Sequence, residues 1–233
     1  MTAPRPWTRL YPARVPAELP APVVSAVEQF EAAARRHPSR PALHYFDWTL
    51  SYGDVDRMAD GLAASLARLG LNPGDRVALY LQNVPQFAIA QYAVWKAGGI
   101  VVPLNPMFKE AELAYHLNDS GARVLISLES LYAQTARVVV PKTPVEKVIT
   151  TSELDFLLPD PPRPGLLAGS RKMRFRETLD FNELLEKEAG LRSCPRFKPR
   201  DVAYLSYTSG TTGPPKGAMN THANVVYNAQ VST

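Results

Sequence analysis

The sequence predicts an α/β protein of parallel sheets with crossover helices, and three observations carry that prediction. Short apolar runs at residues 77–81, 100–103, 123–127 and 202–207 have the length and composition of buried strands. Between the first three lie segments whose apolar residues recur at helical spacing. Glycine, proline and asparagine punctuate the joins, as at Asn72-Pro73-Gly74-Asp75 and Gly98-Gly99. Alternation of this kind implies right-handed crossovers and a mostly parallel sheet covered by helices on its faces.

Taken in order, residues 1–21 are proline-rich and aperiodic, and are expected to form an arm that drapes over the fold or is partly disordered, ahead of the portion of a domain that occupies 22–233. A helix is expected over about 23–36, with Val23, Val27, Phe30 and Ala34 on one face and Pro38 stopping it. Residues 41–50 alternate as a β-hairpin with a tight turn near Asp47. Ser51 reads as an N-cap with Asp54 three residues on, and Val55, Met58, Leu62, Leu66 and Leu69 follow at helical spacing up to Gly70. After the 72–75 turn and the 77–81 strand, Asn83 and Pro85 open a helix lined by Phe87, Ala90, Val94 and Ala97. Strand 100–103, helix 110–118 and strand 123–127 repeat the unit, and 145–149 offers another strand. Regularity fades over 152–176, where Pro159, Pro161, Pro162 and Pro164 precede Arg171, Lys172, Arg174 and Arg176. That stretch reads as a solvated surface insertion. A peripheral membrane contact is the alternative, since Leu157-Leu158 and Leu166-Leu167 lie near the cations. A short helix over 181–187 leads to 202–207, expected as the last strand.

Composition narrows the function classes. Hydrophobic residues make up 45% and charged residues 21%, the balance of a globular chain and neither disordered nor fibrous. A net charge of +4 suits anionic ligands but is too small to argue for nucleic acid. The one cysteine, Cys194, excludes an internal disulfide framework and fits a reducing, cytoplasmic compartment as an inert thiol. The uncharged stretch 77–95 contains Gln82, Asn83, Pro85, Gln86 and Gln91, so it reads as strand, turn and helix rather than a membrane span. The first twenty residues lack the apolar core of a secretory signal. His37, His44 and His116 are scattered without metal-ligand spacing.

The chemistry is concentrated after the 202–207 strand, in Thr208-Ser209-Gly210-Thr211-Thr212-Gly213-Pro214-Pro215-Lys216-Gly217. Glycines let backbone N–H groups converge on an anion, hydroxyls add donors, and Lys216 adds a full charge. The prolines stiffen the loop and reduce the entropy lost on binding. The string is not the common NTPase P-loop, because proline rather than glycine precedes the lysine. A hydroxyl-rich surface loop without function is the competing reading, and the full string argues against it. His222, just beyond, reads as a first-turn helix residue after Thr221, with phosphate or substrate contact as the alternative. Trp95 and Tyr92 read as core.

This string resembles the phosphate-binding signature of the adenylate-forming superfamily, which includes acyl-CoA synthetases, luciferases and peptide-synthetase adenylation domains. The resemblance extends to Trp95-Lys96-Ala97-Gly98-Gly99-Ile100-Val101-Val102-Pro103-Leu104-Asn105-Pro106 and to residues 69–78, so it covers about 22–233. The wording Val-Pro-Leu-Asn-Pro is closest to long-chain fatty-acid–CoA ligases. The resemblance implies the N-terminal part of that superfamily's large domain, using ATP, Mg²⁺ and coenzyme A on a fatty acid or other carboxylic acid. It implies Thr208 for the metal and Thr208, Ser209, Gly210, Thr211, Thr212, Gly213, Lys216 and Gly217 for the nucleotide, with Lys216 as the catalytic cation. The family pattern continues well beyond Thr233, so the resemblance implies an N-terminal portion that is inactive alone. The alternative is a non-catalytic nucleotide- or phosphate-binding module that works at this length.

Overall fold

Local capping and turn chemistry set most element boundaries in the computed structural model, which describes residues 5–158, 163–186, 198–208 and 213–231. Pro6–Leu10 forms one 3-10 turn whose side chains are largely exposed. Helix α1 (Ala26–Arg36) begins three residues later than the sequence periodicity suggests. Ser25 and Glu28 form a reciprocal capping box there, and Val23 lies outside the helix, 86% exposed. Strands β1 (Pro41–Tyr45) and β2 (Trp48–Ser51) make the expected antiparallel hairpin, turning at Phe46 with φ 52°. Ser51 and Asp54 close a second capping box at the start of α2 (Tyr52–Arg68).

The repeating unit follows as strand β3 (Arg76–Tyr80), helix α3 (Pro85–Lys96), strand β4 (Ile100–Pro103), helix α4 (Glu110–Ser120) and strand β5 (Val124–Leu128). Gly98 ends α3 at φ 93°, a backbone conformation open to glycine at little cost, and it brings the chain against Pro73. Residues 129–142 have no expectation from periodicity. They form α5 (Glu129–Leu131), a π turn over Tyr132–Ala136, α6 (Arg137–Val139) and a 3-10 turn over Val140–Lys142. Strand β6 (Lys147–Thr151) runs two residues later than expected. The 152–176 stretch is irregular where described, apart from a 3-10 turn at Gly165–Leu167. Strand β7 (Leu179–Asp180) and helix α7 (Phe181–Glu186) come next, then β8 (Val202–Thr208). The expectation that this strand is the last needs correction, because β9 (Lys216–Thr221) folds back antiparallel on it before α8 (His222–Val231).

Among the described residues the main sheet has seven strands in the order β7-β6-β5-β3-β4-β8-β9, with every neighbour parallel except the β8–β9 pair. Side-chain alternation along β3 shows why its residues are apolar throughout. Val77 and Leu79 point into one core with Phe30, Leu62, Ile89 and Phe181, while Ala78 and Tyr80 point into a second core with Leu113, Leu117 and Tyr132. Helices α1, α2, α3 and α7 therefore cover one face and α4 to α6 the other. Trp95 pins the outer part of the sheet, its indole N–H donating 2.8 Å to the Ala203 carbonyl.

Candidate functional site

The loop in which the sequence concentrates glycines and hydroxyls joins β8 to β9 at the carboxyl ends of the parallel strands, the edge where open α/β sheets bind ligands. Antiparallel register places Lys216 directly across from Thr208, with Gly217 opposite Tyr207 one rung below. Pairing thus brings a hydroxyl and an ammonium that are eight positions apart in sequence to the two lips of one turn. Thr208, Gly213, Pro214 and Lys216 are exposed, and Pro215 and Gly217 are half-buried. Ser209, Gly210, Thr211 and Thr212 lie outside the described residues. Gly217 has a packing reason to lack a side chain, since a Cβ there would meet Leu205 Cδ1 at 2.8 Å. Nothing in the sequence singles out Tyr115 and Asp119, yet both reach this hairpin. The Tyr115 hydroxyl donates to the Pro215 carbonyl at 2.7 Å, and Asp119 Oδ2 accepts from the Tyr207 hydroxyl at 2.5 Å. Burial and the adjacent Asp119 carboxylate raise the Tyr207 phenol above its ordinary value, so it remains a donor. Their spacing of four puts both on one face of α4, but the helix expected over 110–118 stops one residue short of Asp119.

Residues 30–233 match the AMP-binding enzyme family. The chain belongs to that family. A long-chain-fatty-acid–CoA ligase of Bacillus subtilis (strain 168) is 34% identical to it, over 99% of this chain and 42% of the relative. A ligase of the same description from Salmonella typhimurium is 36% identical, over 96% of this chain and 41% of its own length. Among solved structures, a long-chain-fatty-acid-CoA ligase from Archaeoglobus fulgidus superposes with a TM-score of 0.72 at 27% identity, over 91% of this chain and 40% of that one. The chain therefore spans about two fifths of the length of the curated relatives it matches.

Other candidates within this AMP-binding chain fall away from the loop. His222 follows the far end of β9, roughly 20 Å along the strand from Lys216 at about 3.3 Å per residue. It is fully buried, its ring 5.3 Å from Trp95, and burial pushes its imidazole down to about 4. Thr221 caps its helix together with Asn224, as the first-turn reading expects. Tyr92 stacks on Phe30 at 3.7 Å, so it and Trp95 belong to the core. The basic cluster of the 152–176 stretch meets carboxylates. Lys172 pairs with Asp155 at 2.7 Å and Arg174 with Glu183 at 3.3 Å, at a cavity of about 280 Å³. Among the described residues no group of three or more histidine, cysteine or acidic side chains is arranged to hold a metal. Cys194 lies outside the described residues.

Proposed function

We propose that this chain supplies the phosphate-binding part of an ATP-dependent fatty-acid–CoA ligase. The observation that carries the reading is the Thr208–Lys216 rung, which closes a loop of glycines and hydroxyls at the ligand-binding edge of a parallel sheet. The relatives' printed activity supplies the acid: a carboxylate oxygen attacks the α-phosphorus of ATP, and the bond to pyrophosphate breaks. The coenzyme A thiol then attacks the acyl carbon of the mixed anhydride and releases AMP. The nucleophiles come from the substrates, so the protein's work is positioning and charge compensation.

Within that reading Lys216 offsets the charge that builds on the departing pyrophosphate. The hydroxyls of Ser209, Thr211 and Thr212, with backbone N–H groups at Gly210 and Gly213, hold the β- and γ-phosphates, and Gly217 keeps the outgoing strand close to Leu205. Magnesium fits this donor set: Thr208 offers one neutral oxygen at the lip of the loop. Mg²⁺ characteristically keeps waters and draws its other ligands from substrate phosphates, where it neutralises their charge. No helix among the described residues is long and apolar enough to cross a membrane. We place the enzyme in the cytoplasm, with peripheral membrane contact through the exposed Leu158 and Leu166, of which Leu158 lines a cavity together with Arg163 and Arg171.

The test is ATP–pyrophosphate exchange by a polypeptide of the relatives' full length, across a panel of carboxylic acids. Exchange that requires a fatty acid supports the proposal. Exchange only with amino acids or aromatic acids replaces the substrate class, and saturable ATP binding with no exchange for any acid favours a non-catalytic nucleotide-binding module.

A further inference from the structure

The two legs of the β8–β9 hairpin are fastened to the same helix face. On the leg entering the loop, Tyr207 donates its hydroxyl to Asp119 Oδ2 at 2.5 Å; on the leg leaving it, the Pro215 carbonyl accepts the Tyr115 hydroxyl at 2.7 Å. Tyr207 immediately precedes Thr208, and Pro215 immediately precedes Lys216. Each anchor is thus one residue from a member of the rung that closes the loop. Tyr115 and Asp119 stand one turn apart on α4, so one rigid surface serves both legs. That surface is itself held firmly. Leu113 and Leu117 are fully buried against the sheet, and the His116 ring lies between Phe108 at 4.4 Å and Tyr207 at 4.5 Å.

We propose that Tyr115 and Asp119 are positioning residues for the phosphate loop, clamping its two ends to α4 so that Thr208 and Lys216 keep a fixed separation before the nucleotide arrives. The proposal rests on the phosphate-binding reading of the loop. A loop anchored at both ends has less conformational freedom left to lose on binding, and its donors meet the phosphates already aimed. Neither residue is assigned a contact with substrate. Their effect passes through Tyr207 and Pro215 to the rung.

Two measurements on Tyr115→Phe, Tyr207→Phe and the double variant test the clamp. The first is hydrogen exchange of the amides flanking the loop in this chain, with its melting temperature recorded alongside. Losing the neutral Tyr115–Pro215 bond predicts exchange at the Gly213, Lys216 and Gly217 amides faster by about two- to tenfold. Tyr207→Phe, which loses a bond to a carboxylate, should do at least as much and the double variant more, with little change at β3 and β5. The second is adenylation by a polypeptide of the relatives' length. There KM for ATP should rise by about two- to tenfold while KM for the carboxylic acid stays within experimental error, a split that general destabilisation would not produce. Asp119→Asn, which keeps an acceptor oxygen, should lie closer to wild type than Asp119→Ala. Unchanged exchange at the loop flanks, or an equal rise in both KM values, overturns the clamp. A wild-type enzyme that does not use ATP overturns the functional reading alone, because the exchange comparison judges the clamp with no nucleotide present.

Discussion

Lys216 is exposed, and its charge gains value only when phosphate oxygens displace the water around it. A charge-assisted contact contributes about 1.5–3 kcal/mol, so Lys216→Ala should lower adenylation efficiency by about tenfold to a hundredfold, read as pyrophosphate release by the full-length polypeptide. Thr208→Val and Thr211→Val should also impair Mg²⁺-ATP use, and normal kinetics in all three variants would remove the loop from the mechanism. His222 makes a different prediction. Burial holds its folded-state pKa near 4, with Asp201 and Glu28 pulling weakly upward, while the unfolded chain takes up the proton near 6.5. Stability from this group is therefore complete above pH 6.5 and is lost as pH falls through 4, by about 3 kcal/mol. His222→Phe should flatten the fall in urea-denaturation midpoint between those values, and parallel profiles for the two proteins would contradict the assignment. Thr208 and Lys216 stand out as candidates in the loop string itself. Their facing one another was not, because register depends on a partner strand, Lys216–Thr221, that has almost no apolar alternation.

Helix α3 carries a buried cation to the junction of three helices. Lys96 Nζ lies 2.5 Å from Asp60 Oδ1 and 2.6 Å from Asp56 Oδ1 on α2, and 3.6 Å from Glu31 on α1. Removing one partner of a buried ion pair costs about 3–5 kcal/mol. The carboxylates here are about one quarter exposed, so Lys96→Met should cost about 3 kcal/mol in chemical denaturation. A loss below about 1 kcal/mol would show that water already satisfies those carboxylates. At the start of α1, Ser25→Ala should cost about 1 kcal/mol as the capping box is lost, a fall in melting temperature that Ser25→Asp should largely restore. Elements with strong local signals were legible in the sequence: the α2 cap, the strand at 100–103 and the glycine turns all stand where residue chemistry puts them. Ser25-Ala26-Val27-Glu28 offered the same capping signature, but the apolar spacing of Val23 with Val27 pulled the expected start three residues early. The 129–142 turns escaped because a π turn breaks the helical period and Pro141 interrupts it again.

For the molecule as a whole, the exposure of the loop's lips limits what this stretch can do alone. Contacts from Thr208, Gly213 and Lys216 compete with bulk water, so ATP or pyrophosphate should bind this chain with Kd around a millimolar, about −4 kcal/mol. Purified chain given ATP, Mg²⁺, a fatty acid and coenzyme A should release no pyrophosphate above background. Robust acyl-CoA formation would show that two fifths of the relatives' length suffices for catalysis. The sheet order has a consequence for biosynthesis. Strand β8 joins the sheet through Val101↔Tyr204, a pairing across about a hundred residues of chain. A ribosome adding about 5–20 residues per second emits β4 some seconds before the strand that will cover its edge. Throughout that interval Val101 and Val102 border an unpaired hydrogen-bonding edge, and contacts of such long sequence separation form late. The nascent chain thus stays adhesive along β4 until the β8–β9 hairpin docks, and chaperone demand should peak in that window.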